Sequence, residues 1–347
     1  MALDLTDIAS RIEANPLGRL MYGQRELFHS NLLAWFFDVL PDPADAVFRP
    51  LALDGSDSWR GVERERENLD LVLHWRDRSP VVIENKVFSV PRKEQLEEYS
   101  DKVARWAQAP MKVLLAPSGP DFDLDDWKFM SYGELSSRIL ASLPNGDTSY
   151  NAETMRHYAT LANHLHELVG AIDIHSEDET VWLSEHVLSA ISSSQMRPAL
   201  HKARAARVAA YLSRALAPTD RAVGYNLTNA VPLVDWYGEA RVAGLHVYIG
   251  WQLQGVQFRR AVIYVDPHLD SKSDQALQLR EQASREHPEF FVFPGELPIR
   301  PSTRKRKEFN HYKPSFVYQW VATPGITVAQ LLGAAREIQR NVGDLAA

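Results

Sequence analysis

Leu69-Asp70-Leu71-Val72-Leu73-His74-Trp75 and Val81-Val82-Ile83-Glu84-Asn85-Lys86, joined by the polar stretch Arg76-Asp77-Arg78-Ser79-Pro80, decide the fold. Both arms are apolar runs rich in branched residues around a turn-forming segment, the pattern of a β-hairpin buried on both faces. Asp70, Glu84 and Lys86 break that apolar pattern. Side chains alternate faces along a strand, so Glu84 and Lys86 project the same way. A turn symmetric about Arg78 sets Val72 opposite Glu84 and Asp70 opposite Lys86, with Glu84 on the diagonal of Asp70. Unpaired charge in an apolar sheet is costly, and a divalent cation between the two carboxylates would offset it. The plainer alternative is a structural Asp70–Lys86 ion pair with Glu84 at an exposed sheet edge. Buried ion pairs seldom add stability over apolar residues of similar volume, which weighs against that alternative.

An acidic residue on one strand followed by Glu-x-Lys on the next resembles the PD-(D/E)xK nuclease superfamily. The flanks extend the likeness: Glu26-Leu27-Phe28-His29-Ser30-Asn31-Leu32-Leu33-Ala34-Trp35 before the hairpin and Gln95-Leu96-Glu97-Glu98-Tyr99 after it. The ordered set over residues 24–140 is similar to a bacterial branch of that superfamily. Leu69 stands where the family name has proline, a position that carries no chemistry. The resemblance does not reach the second half of the chain.

At 347 residues the chain has room for two domains. It contains no cysteine, which excludes disulfides, zinc–thiolate sites and cysteine nucleophiles. The N-terminus lacks a basic region followed by an apolar run, and no stretch has the length of a membrane span, so a cytoplasmic protein without membrane contact is expected. The net charge of −7 decides little, because phosphate affinity depends on local basic patches.

Periodicity predicts a helix over 4–14 capped by Asp4 or Thr6, and a second over 24–40 ended by Pro41-Asp42-Pro43. Residues 44–58 read as a loop and 59–67 as a strand with mixed charge. After the hairpin come a helix to Trp106, a strand at 111–116, a strand at 127–130 and a helix to Leu140 that starts on a capping box, Ser131-Tyr132-Gly133-Glu134. That order predicts an α/β domain over residues 1–172, a restriction-endonuclease-like αβββαβ core whose mixed sheet is flanked by helices. Residues 173–347 are expected to form a C-terminal accessory domain, helical and then mixed α/β, for substrate reading or docking. Helices are expected at 180–191, 198–216, 272–286 and 327–343, and strands at 241–249, 257–265 and 315–321.

Glu26 shares one side of its helix with His29 and Leu33, and the superfamily often places an acidic residue on this first helix near its metal. A first-turn glutamate favoured by the helix dipole is the alternative. Gln95 lies beside Leu96 and Tyr99 on a helix expected to cover the active strands. It is either placed to bind a phosphate, a water or the lysine, or is a partly buried amide. Arg204, Arg207 and Arg214 fall within a stripe of roughly 80° at ~100° per residue. Arg304, Lys305, Arg306 and Lys307 are interleaved with aromatic residues nearby. Both clusters read either as solvated surface or as contacts to a nucleic-acid strand.

Hard oxygen donors suit Mg²⁺ or Mn²⁺, with Asp70 and Glu84 as ligands and the Asn85 carbonyl as a third. Lys86 would orient or deprotonate the attacking water, or pair with phosphate. The expected activity is metal-dependent hydrolysis of phosphodiester bonds, endo- or exonucleolytic, in DNA, and the family context implies restriction, phage defence or DNA processing. The alternatives are a non-catalytic nucleic-acid- or protein-binding module on the same scaffold, and a nuclease active only in a larger complex. A homodimer or a protein partner stays open.

Overall fold

The computed structural model describes residues 4–21, 25–55, 59–89, 91–120, 122–191, 196–216, 221–242, 245–264, 278, 282, 285–301, 310–312 and 316–346. It divides into two compact units, Met1–Ile172 with His186–Ala199, and Asp173–Glu185 with Leu200–Ala347.

The first unit opens with α1 (Leu5–Ala14), α2 (Pro16–Met21), α3 (Arg25–Val39) and α4 (Pro41–Phe48). Asp4 caps α1 by accepting from the Thr6 N–H at 2.9 Å. Where a loop was expected from residue 44, α4 forms. Pro41 does end α3, but it also occupies the first turn of the next helix, where its missing N–H costs nothing. Ala44, Val47 and Phe48 then bury one side of that helix.

The sheet follows as β1 (Gly61–Arg66), β2 (Leu69–Trp75) and β3 (Arg78–Asn85), then β4 (Met111–Ala116) and β5 (Trp127–Ser131) after α5 (Lys93–Val103). Its order is β1-β2-β3-β4-β5. The first three strands are antiparallel, and β3-β4 and β4-β5 are parallel. The two units of parallel pairing require crossovers, supplied by α5 and by the chain between β4 and β5. After β5 come α6 (Tyr132–Ser142), capped by the Ser131 hydroxyl on the Glu134 N–H, and α7 (Tyr150–Ala171). This is a mixed five-stranded sheet flanked by helices, consistent with a restriction-endonuclease-like fold.

β3 is a central strand with an unbroken buried run, Ser79–Asn85. On one face Val72, Val82 and Leu114 pack with Leu69 and Trp127 against Leu96, Tyr99 and Val103 of α5. Burying each such side chain contributes about 1.5–3 kcal/mol.

The hairpin register differs from the one expected. Leu71 pairs with Ile83, Val72 with Val82 and Leu73 with Val81, and an irregularity between Leu73 and Trp75 brings Trp75 opposite Arg78. Arg78, Ser79 and Pro80 belong to β3, so only Arg76 and Asp77 make the turn. The shift is by two residues and therefore leaves each side chain on its expected face.

All but the first residue of α8 (Glu185–Ala190) belongs to the first unit, and the second carries α9 (Met196–Ala215) from Leu200 onward, then β6 (Gly224–Thr228), β7 (Val231–Val242), β8 (Leu245–Gln254) and β9 (Gln257–Tyr264). β10 (Asn310–Tyr312), β11 (Phe316–Ala322) and α10 (Val328–Ala346) close the chain. The sheet order is β10-β11-β9-β8-β7-β6, with antiparallel pairs throughout. One face buries Val234, Trp236, Ile249, Trp251, Phe258 and Val262 against Val208 and Leu212 of α9 and Leu331, Ala335 and Ile338 of α10. The helix expected over 272–286 falls mostly outside the described residues.

Candidate active site

The even-numbered positions of β2 and β3 face α5, and that face carries the ionisable groups. Asp70 Oδ2 accepts the main-chain N–H of Asn85 at 2.7 Å, across the hairpin. One strand position on, the Lys86 ammonium pairs with Glu84 Oε1 at 2.7 Å. The side chains of Glu84 and Lys86 are 2% and 10% exposed, which makes this a buried pair. Glu84 thus sits inside the sheet, away from any exposed edge, and its cationic partner is its own-strand neighbour. Lys86 is in turn fixed in the sheet by its main-chain N–H, which donates to the Leu115 carbonyl at 2.8 Å.

From the helix above, Gln95 Nε2 donates to Glu84 Oε1 at 3.3 Å and to the Tyr99 hydroxyl at 2.8 Å. The i, i+4 spacing on α5 puts both residues on the same side of the helix. Burial pushes the Tyr99 phenol up. The Gln95 hydrogen bond and the Lys86 charge oppose that rise, and the charges of Glu84 and Asp70 reinforce it. Tyr99 therefore feels all three ionisable groups. Sequence reading left its hydroxyl out, although its spacing from Gln95 was the available signal.

The opposite face supports the same strand. Tyr132, at the start of α6, donates its hydroxyl to Asn85 Oδ1. The His29 ring of α3 stacks on Tyr132 with centroids 5.2 Å apart, and His29 Nδ1 lies 3.1 Å from the Tyr158 hydroxyl of α7. His29 is fully buried, and desolvation lowers its pKa to about 3, so the ring is neutral across the physiological range. Local sequence could not reveal the Tyr132–Asn85 contact, which links residues 47 positions apart.

Of the expected site residues, Asp70, Glu84, Asn85, Lys86 and Gln95 come together here. The backbone of Glu26 lies in the first turn of α3, and its side chain lies outside the described residues. Arg304, Lys305, Arg306 and Lys307 also lie outside the described residues. Arg207 is half-buried on α9.

Arg204 does not fit the expected nucleic-acid stripe. It is 3% exposed and donates to the carbonyls of Val181, Asp173 and Thr180 at 2.9, 2.9 and 2.7 Å, and to Glu179 Oε2 at 3.3 Å. Its donors are committed to ordering the segment that precedes α8. A helical wheel cannot show this, because the segment folds back over a helix face that would otherwise be solvated.

The donors offered to a cation are two carboxylates and a main-chain carbonyl, an all-oxygen set of the kind hard divalent ions take. Among the described residues no group of three or more His, Asp or Glu side chains forms a metal cluster. Each carboxylate has two oxygens and about four lone-pair sites, so one engaged oxygen leaves acceptor capacity on the group. The residues fit a site that is shared between protein, water and substrate phosphate more than an all-protein cage.

No helix among the described residues is long and apolar enough to cross a membrane. No curated protein and no solved structure matches this chain. Residues 56–160, which contain β1 to β5, the Asp70–Glu84–Lys86 group and Gln95, match the family model of the PD-(D/E)XK nuclease superfamily.

Proposed function

We propose that this domain is a metal-dependent nuclease that hydrolyses phosphodiester bonds in DNA, with Mg²⁺ or Mn²⁺ held by Asp70, Glu84 and the Asn85 carbonyl. The observation that carries the reading is the convergence of Asp70, Glu84, Lys86 and Gln95 on one face of the sheet. A divalent cation bound there would lower the pKa of a coordinated water and neutralise charge at phosphorus. The Asn85 N–H holds Asp70 Oδ2 in place, so the carboxylate is oriented before any ligand arrives. Lys86 presents its ammonium on the same face, where it would orient or deprotonate the attacking water or pair with the phosphate. Gln95 would hold Glu84 Oε1 or a bound water, and Glu26 is assigned a supporting place at the start of α3. Residues 1–172 form the catalytic part of this reading, and residues 173–347 an accessory part for reading or docking the substrate. Restriction, phage defence or DNA processing would use such a pairing.

Calorimetric titration with Mn²⁺ tests the ligand assignment. Binding by the wild type that is lost in Asp70→Asn supports it, and equal binding by both would remove Asp70 from the site.

A further inference from the structure

The second sheet buries one face against α9 and α10, and its other face holds a cavity of about 650 Å³. The register aligns that face in rows. Asp235, Gln252 and Arg259 pair successively across β7, β8 and β9, and Tyr237, Gly250, Ala261 and Tyr318 do so in the next row. The Tyr237 ring meets Phe316 edge-on, with centroids 6.2 Å apart.

The polar row is internally ordered. Gln252 Nε2 donates to Asp235 Oδ2 at 3.3 Å, and Arg259 donates to Gln252 Oε1 at 2.7 Å and to Gln257 Oε1 at 2.8 Å. The Arg259 guanidinium also lies 4.8 Å from the Tyr318 ring centroid. Burial pushes the Asp235 carboxyl up. The Tyr237 hydroxyl is buried with no hydrogen-bond partner among the described residues, within electrostatic reach of Asp235 and Arg259.

We propose that this cavity binds the heterocyclic base of an unpaired nucleotide. One carboxyl, glutamine amides and a guanidinium in a single cavity offer mixed donors and acceptors, the groups that read base edges. Phe316 and Tyr318 on its wall supply faces for stacking. Asp235 and Arg259 balance in charge, so the cavity suits a neutral ring more than a phosphate, which would need an excess of donors. The choice of a nucleic acid as the carrier of that ring rests on the nuclease reading of the first unit.

The test uses the full chain with metal chelated, titrated with fluorescent single-base oligodeoxynucleotides and with an abasic oligomer of equal phosphate number. The base-bearing oligomers should bind about tenfold tighter or more than the abasic one. Gln254→Ala and Tyr318→Leu, both at the cavity wall, should each shrink that ratio while the melting temperature holds. Competition by nucleoside monophosphates at equal concentration would assign the base to free nucleotides, and its absence to a strand. Equal binding of abasic and base-bearing oligomers would overturn the proposal, as would variants that keep the wild-type ratio. Because binding is read without turnover, its failure leaves the nuclease reading standing, and a chain that cuts no DNA can still pass.

Discussion

The Asp70 carboxylate and the Asn85 main-chain N–H are 2.7 Å apart, so the candidate metal ligand also latches the hairpin that carries it. The two roles separate by substitution. Asp70→Ala leaves the Asn85 N–H without its acceptor and should cost about 1–3 kcal/mol of stability as well as cleavage. Asp70→Asn keeps an oxygen acceptor, so it should melt near the wild type yet cut DNA about 10²-fold more slowly or worse. Paired denaturation and cleavage measurements on both variants check this. Equal stability loss in both would contradict the latch.

Glu84 and Lys86 should behave as a coupled pair. Removing one partner strands a charge inside the sheet, so Glu84→Ala should destabilise by about 3–5 kcal/mol. Glu84→Ala combined with Lys86→Met should recover part of that loss, because no buried charge remains. Urea unfolding of the two singles and the double measures the coupling, and strict additivity would exclude it.

His29 makes the first unit acid-sensitive. Its folded pKa of about 3 lies below the unfolded value of 6.5. The unfolded state therefore binds the proton first, and stability present above pH 6.5 is lost as the pH falls towards 3. Between pH 7 and pH 5 the loss from this group is about 2 kcal/mol. His29→Phe should flatten that part of the profile in denaturation experiments at the two pH values. An unchanged slope would assign the acid sensitivity elsewhere.

Arg204 should prove structural. Arg204→Lys cannot reproduce its fork of donors to three carbonyls and Glu179, and a fall in melting temperature with unchanged DNA affinity is expected. Weaker DNA binding at unchanged stability would restore the basic-stripe reading.

The chemistry of the site was more legible in the sequence than its geometry. Period-two alternation alone puts Glu84 and Lys86 on one face, and the i, i+4 rule puts Gln95 beside Tyr99. The register was not legible, since an irregularity between Leu73 and Trp75 depends on how two strands meet, and no local preference encodes it. The α4 helix was hidden for another reason. A proline pair such as Pro41 and Pro43 can break α3 and also open a new helix, and only the burial of Val47 and Phe48 tells whether that second helix forms. Arg204 reads as part of a basic surface stripe because the segment that buries it folds back over the helix, and the Tyr132–Asn85 contact is hidden because its partners are distant in sequence.

The most direct measurement is cleavage of plasmid and single-stranded DNA with Mg²⁺ or Mn²⁺ by the wild type, Asp70→Asn and Lys86→Ala. Metal-dependent cutting by the wild type that is lost in both folded variants is the predicted result. Cutting that survives in both variants, or a wild type that neither cuts nor binds metal, would contradict the account.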